Sequence, residues 1–324
     1  MQVQLQLSSF KIVITFLLFL VVNVIAVAQQ KDQQTTSTPA TDKVQSEQNT
    51  LTAPEPQAEN PVSSTPLPSP LTQQYQQDLT HYLPAEQVKP LRVGTDDYIT
   101  LVTENTSIND KGVAILLPDW QQSATNPKAI NFLRKALPSQ GWTTIAIQPP
   151  SMPENYPSKA IEVSEQQQQN DQILADYKLI FTAMMNAVLE QTNRYPGIKV
   201  VIAQGHHGAL LVEFFEQQAA KANPIMPNGV ILLSSYLTTN EALIDEAHTD
   251  LAKKIAASNY PLLDLYLTFD HPIVLAKVKQ RRALAKKAMK VYFRQRQLNS
   301  LAAGYYPEQA LLRIINSWLK SIGW

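Results

Sequence analysis

The chain contains no cysteine, and that absence excludes a disulfide framework, a thiolate metal site, a cysteine nucleophile and a lipid-modified N-terminal cysteine. Neither sign of charge is in excess: 27 Lys and Arg stand against 27 Asp and Glu. The basic footprint that grips a phosphate backbone is therefore missing, and nucleic acid is not expected as a partner. No segment repeats at a period of about twenty to fifty residues, which excludes solenoids and propellers. Glycine is scarce, nine in 324 residues, so a place where two fall close together says something about the backbone there.

One long apolar run is present, residues 12–28, preceded by Lys11 and ending in Ala26, Val27 and Ala28 before Gln29. Small residues one and three positions before a break suit signal peptidase, so residues 1–28 read as a signal peptide cut after Ala28. The alternative is an uncleaved inner-membrane anchor, because the run reaches the lower limit for spanning a bilayer. Either reading implies export, to the periplasm or beyond, with association with the cell envelope. Residues 29–78 follow as a Gln/Thr/Pro-rich stretch with prolines at 39, 54, 56, 61, 66, 68 and 70. Its apolar content is too low to offset chain entropy, which predicts a disordered linker.

From residue 79 to 324 short β-rich runs alternate with helical patterns, the signature of a mostly parallel sheet with helices on both faces, an α/β fold. The runs 111–117 (KGVAILL), 143–147 (TTIAI), 198–203 (IKVVIA), 229–233 (GVILL) and 262–268 (LLDLYLT) read as strands, and 290–297 as a last alternating one. Helical spacing is seen over 126–137, 170–191, 209–222, 240–257, 273–289 and 307–322. Met184 and Met185 fall on an apolar helical stripe and read as core filler. The basic stretch from Lys277 to Lys290 reads as a solvated helix face, with anionic lipid or glycan as the functional alternative.

Between the strand 198–203 and the next helix lies Gly205-His206-His207-Gly208-Ala209. A sharp strand-to-helix turn is where a nucleophile elbow, G-x-S-x-G, would sit. The glycines would permit the close backbone approach, and the central residue would need positive φ. That central residue is His207. Histidines 206, 207 and 271 invite a metal reading, but adjacent residues in a tight turn diverge and no i,i+4 pair exists, so neither metal nor cofactor is expected. Ser234 and Ser235, after a strand, read as turn serines that could line a pocket.

These features resemble the α/β-hydrolase superfamily and, more narrowly, the bacterial domain-of-unknown-function family 3530. The residues that carry the resemblance are 113–117 with Pro118-Asp119-Trp120, Gly141-Trp142-Thr143-Thr144, the turn 205–209, and Ser317-Trp318-Leu319. The resemblance implies a nucleophile at His207, an acid at Asp270, and a general base in the loop ending at Tyr305 and Tyr306, where no histidine stands. It also implies an oxyanion hole from the backbone N–H groups of Gly208 and of Asp119 or Trp120. A serine needs a neutral imidazole to take its proton, and losing triad members costs roughly 10⁴ to 10⁶ in rate. The expectation is an exported pseudoenzyme that binds a small acyl or carboxylate ligand or acts as a scaffold. The alternative is an ester or acyl hydrolase working through His207 and Asp270.

Overall fold

The computed structural model describes residues 68–300 and 304–324. The apolar run, its cleavage site and the linker up to residue 67 lie outside the described residues. The folded chain begins earlier than composition suggested. Helix α1 (Leu71–Tyr82) takes in residues 71–78, which composition assigns to the linker. It is held by tertiary contacts: Leu79 is buried in the core, and Thr72 Oγ1 accepts the Ser151 N–H at 3.0 Å.

Next come β1 (Val88–Val93) and β2 (Asp96–Thr103), an antiparallel hairpin. Lys89, Pro90 and Arg92 break its apolar pattern, and Pro90 is tolerated because β1 is an outer strand. The remaining elements alternate as the sequence predicts: β3 (Gly112–Leu117), α2 (Ala129–Ala136), β4 (Trp142–Gln148), α3 (Val163–Gln191), β5 (Ile198–Gln204), α4 (Gly205–Ala219), β6 (Gly229–Leu233), α5 (Ile244–Ala257), β7 (Leu262–Leu267), α6 (Pro272–Lys287), β8 (Phe293–Leu298) and α7 (Glu308–Ser321).

The eight strands form one sheet in the order β1-β2-β4-β3-β5-β6-β7-β8. Only β2 runs against the rest: it pairs antiparallel with both β1 and β4, so β1 points the same way as β3 to β8. Alternate strand residues face opposite layers, as a period of two requires. Val113, Ile115 and Leu117 pack in one core with Phe181, Met184 and Met185 of α3 and Phe215 of α4. Ala114 and Leu116 pack in the other with Leu133 of α2 and Ile315 and Trp318 of α7.

Helix α6 is attached differently. Its Arg281, fully buried, approaches Asp264 of β7 at 3.4 Å and donates to the Ser235 carbonyl at 2.5 Å, while Gln295 of β8 donates to the other oxygen of Asp264 at 2.9 Å. Because the strands from β3 onward are parallel, the turns after β3, β5, β6, β7 and β8 meet at one edge of the sheet. They carry Asp119, Gly205, Ser234, Asp270 and Tyr306.

Candidate functional site

The elbow is present, but its register differs from the sequence reading. Positive φ falls on Gly205, at 60°, and α4 starts there. His207 is an ordinary helical residue within the first turn. The two histidines after Gly205 can adopt helical backbone, whereas the residue that leaves β5 and reverses direction needs the left-handed region that glycine enters without strain. The position at which a nucleophile would stand is therefore Gly205, which has no side chain.

What fills the space above Gly205 is the carboxylate of Asp119. A Cβ built on Gly205 would lie 2.3 Å from Asp119 Cγ and 2.5 Å from each carboxylate oxygen. Asp119 Oδ1 accepts the N–H of Trp120 at 2.9 Å and that of His206 at 3.0 Å. Those two groups, the N–H after the elbow residue and one from the loop after β3, are where an α/β-hydrolase oxyanion hole is built. The N–H of Trp120 faces this cradle, whereas that of Gly208 does not. Gly208 lies inside α4 and is pressed against Ser235, whose Oγ would be 1.9 Å from an added Cβ. Asp119 enters through its side chain, as occupant of the cradle.

Asp119 Oδ2 accepts a hydrogen bond from the Tyr236 hydroxyl at 3.1 Å. Burial raises the Asp119 pKa, and the two backbone donors and Tyr236 oppose that shift. Burial first, then the neighbouring Asp119 charge, raises the phenol of Tyr236. Tyr236 in turn stacks on His271, with centroids 4.6 Å apart and planes 5° from parallel. His206 packs on Trp120 at 4.4 Å, and its Nδ1 accepts the Thr238 N–H at 3.1 Å. Burial, then the adjacent His207, holds its pKa well below the usual imidazole range.

His207 is a strut. It is fully buried between Phe181 and Tyr177, stacked at 5.3 and 5.9 Å. Its Nδ1 lies 2.5 Å from the Pro118 carbonyl, which can only accept, so Nδ1 carries the proton. Burial lowers its pKa to about 4, so the ring is neutral and Nε2, an acceptor, lies 2.7 Å from the Tyr177 hydroxyl. That hydroxyl donates to the Pro150 carbonyl at 2.8 Å, so its one proton serves two acceptors, the carbonyl and Nε2. The ring joins the ends of β3 and β4 to α3 and, fully buried, presents neither nitrogen to a substrate.

Asp270 belongs to a separate group. Its Oδ2 accepts Ser234 Oγ at 2.6 Å and the Leu267 N–H at 2.8 Å, and Oδ1 accepts the His271 N–H at 2.7 Å. Ser234 Oγ is also 2.5 Å from the Tyr306 hydroxyl, which has a longer contact of 3.3 Å to the Leu265 carbonyl. The acid and base positions implied by the resemblance, Asp270 and Tyr306, therefore do meet, through Ser234. Tyr305 points elsewhere, exposed, with Lys128 Nζ 5.4 Å from its ring centroid.

His207 and Asp270 are not paired with each other, and histidines 206, 207 and 271 sit in three different surroundings. Sequence reasoning missed the linking role of Ser234, which holds φ at 49°, and those of Tyr177 and Tyr236. An aromatic residue or serine in a loop carries no local signal of a partner far along the chain.

A doubly covered parallel sheet of this strand order, with a strand-turn-helix elbow after β5, defines the α/β-hydrolase class. Within it the chain belongs to the family described as protein of unknown function (DUF3530), whose model matches residues 10–321. Solved structures show the same fold at low identity. A Thermus thermophilus protein, TT1662, is 12% identical over 72% of this chain and 98% of its own, with a TM-score of 0.52. A putative dienelactone hydrolase from Klebsiella pneumoniae is 13% identical over 72% of this chain and 97% of its own, with a TM-score of 0.50. A thermophilic esterase from Thermogutta terrifontis is 13% identical over 73% of this chain and 92% of its own, also with a TM-score of 0.50. No curated protein matches the chain.

Proposed function

We propose that this chain is an exported, non-catalytic member of the α/β-hydrolase fold that works in the cell envelope as a scaffold or binding protein. One observation carries the reading: the carboxylate of Asp119 lies over Gly205 and holds the two backbone N–H groups that would stabilise an oxyanion. A working hydrolase keeps those donors open for charge that develops in the transition state. Here a resident anion has taken them, and the elbow offers no atom to attack a carbonyl. An external carboxylate would have to displace Asp119 against like charge, so scaffolding is favoured over capture of a carboxylate ligand at this cradle.

Hydrolysis through His207 and Asp270 is not favoured, because each side chain is spent on other partners. The test uses residues 29–324, assayed on 4-nitrophenyl acetate and butyrate and probed with a fluorophosphonate. The expected result is no turnover above a heat-denatured control and no covalent label. Turnover abolished by His207→Ala or Asp270→Ala, or a label on any serine, would overturn the proposal. Export is tested by intact-mass measurement on protein from the native envelope. A mature chain starting at Gln29 supports it, and an uncleaved N-terminus favours the anchored form.

A further inference from the structure

Charge is segregated along this neutral chain. Residues 271–307 hold nine of the 27 Lys and Arg and no Asp or Glu. Three of the nine are spent inside the fold: Lys277 on Asp245, Arg281 on Asp264, and Lys290 on the carbonyls of Ser258 and Tyr260. The others, including Arg294 and Arg296 on β8, have no carboxylate partner among the described residues. β8 is the outer strand of the sheet. Beside it lies a groove of about 500 Å³ lined by Arg294, Arg296 and Arg313 of α7, with Ala310 and Ile314 as its apolar lining.

Arginines on an outer strand can be explained by protection against edge-to-edge pairing. That explanation fails for what adjoins them. The turn from α6 into β8 exposes Met289 at 83%, Val291 at 82% and Tyr292 at 55%. Val291 and Tyr292 line a second hollow of about 230 Å³ that shares Arg294 with the arginine groove. Met289 also holds φ at 51°, where glycine would be cheaper. Three outward apolar side chains within four residues, with only Lys290 between them turned inward, work against solubility and contribute nothing to either core.

We propose that this end of the molecule docks on an anionic membrane surface. The Met289-to-Tyr292 turn enters the interfacial layer, and Arg294, Arg296, Arg313 and the neighbouring Lys286 and Lys287 meet lipid phosphates. Apolar and aromatic tips ringed by cations are what an interfacial site combines, and each cation near such a surface strengthens binding about fivefold. A nucleic acid fits less well, since exposed Met and Val offer no face for base stacking. The surface lies at the start of β8, away from the sheet edge that carries Asp119 and Gly205, so it is independent of the proposed lack of catalysis.

The test is sedimentation of residues 29–324, which lack the N-terminal apolar run, with phosphatidylcholine vesicles with and without phosphatidylglycerol. Two variants are compared, Arg294→Gln/Arg296→Gln/Arg313→Gln and Met289→Gly/Val291→Ser, each checked for native circular dichroism. A third, Lys135→Gln/Lys159→Gln/Lys221→Gln, serves as a charge control elsewhere on the surface. Binding only to the anionic vesicles is expected. It should weaken by about a hundredfold in the arginine variant, by at least about tenfold in the apolar variant, and little in the control. The proposal is overturned by no binding to anionic vesicles, by equal binding to neutral ones, or by equal losses in the control. Binding to soluble polyglutamate without binding to vesicles overturns it in favour of an acidic protein partner.

Discussion

At the scale of single residues, the contact between Asp119 and Gly205 makes the sharpest demand. Gly205→Ser adds a Cβ 2.3 Å from Asp119 Cγ at a φ of 60°, so it should cost about 2–4 kcal/mol in urea unfolding, steric and backbone terms together. Asp119→Ala alone leaves two buried N–H groups without acceptors and should cost about 2–3 kcal/mol. Combined, the two substitutions should cost less than their sum, because the second removes what the first collides with. Simple additivity would mean that the carboxylate does not sit over Gly205.

The pH dependence is a second test at this scale. His207 has its folded pKa lowered to about 4, so between about pH 6.5 and 4 the unfolded chain holds a proton that the native ring refuses. Its contribution is complete above pH 6.5 and is lost as pH falls through that window, about 3 kcal/mol at about 1.4 kcal/mol per pH unit. His206, lowered for the same main reason, adds to the slope. Asp119 acts in the opposite sense: its folded pKa is raised, so the native state binds the extra proton and stability on this account falls as pH rises. His207→Phe should therefore flatten the loss of stability on acidification, and Asp119→Asn should steepen it. Urea midpoints from pH 7.5 to 4.5 distinguish the two, and slopes moving together would contradict the assigned environments.

At the scale of elements, α6 shows how a helix can be fixed without a large apolar stripe. Arg281 on α6 and Asp264 on β7 are both buried and also bonded to Ser235 and Gln295. Breaking such a pair strands a charge, so Arg281→Ala should cost about 3–5 kcal/mol, whereas Arg281→Leu with Asp264→Leu should recover most of the loss in thermal or urea unfolding. The same elements show what was legible in sequence. The strands β3 to β7 were readable because they are apolar on both faces, and α3 and α7 because their buried positions recur at helical spacing. The hairpin β1–β2 was hidden because an outer strand tolerates Lys89, Pro90 and Arg92. Helix α1 was hidden because its sequence is polar and its order comes from distant contacts such as that of Thr72 with Ser151. In the site, Asp119, Trp120, Asp270 and Tyr306 were placed at the right sheet edge. The elbow was read two residues late because G-x-x-G spacing marks close packing at Gly208 as readily as it marks the turn at Gly205, and spacing does not reveal φ.

At the scale of the whole molecule, five turns meet at one edge of the sheet and their polar side chains bond to one another. Asp119 bonds to the cradle, Asp270 to Ser234 and through it to Tyr306, and His207 to the Pro118 carbonyl after β3 and to Tyr177 of α3. If the elbow is at Gly205, its chemistry should be recoverable only there. Asp119→Ala/Gly205→Ser/Tyr306→His clears the two donors, places a hydroxyl at the turn and supplies an imidazole where the chain returns toward Asp270. Asp119→Ala/His207→Ser/Tyr306→His places the hydroxyl inside α4, in a fully buried space between Phe181 and Tyr177, out of line with the donors of Trp120 and His206. Exposed to a fluorophosphonate probe, the first variant should label slowly at the introduced serine and the second should not, because backbone donors alone retain a rate advantage of roughly 10³ over water. The reverse ranking would return the elbow to His207, and with it the case for a latent active site.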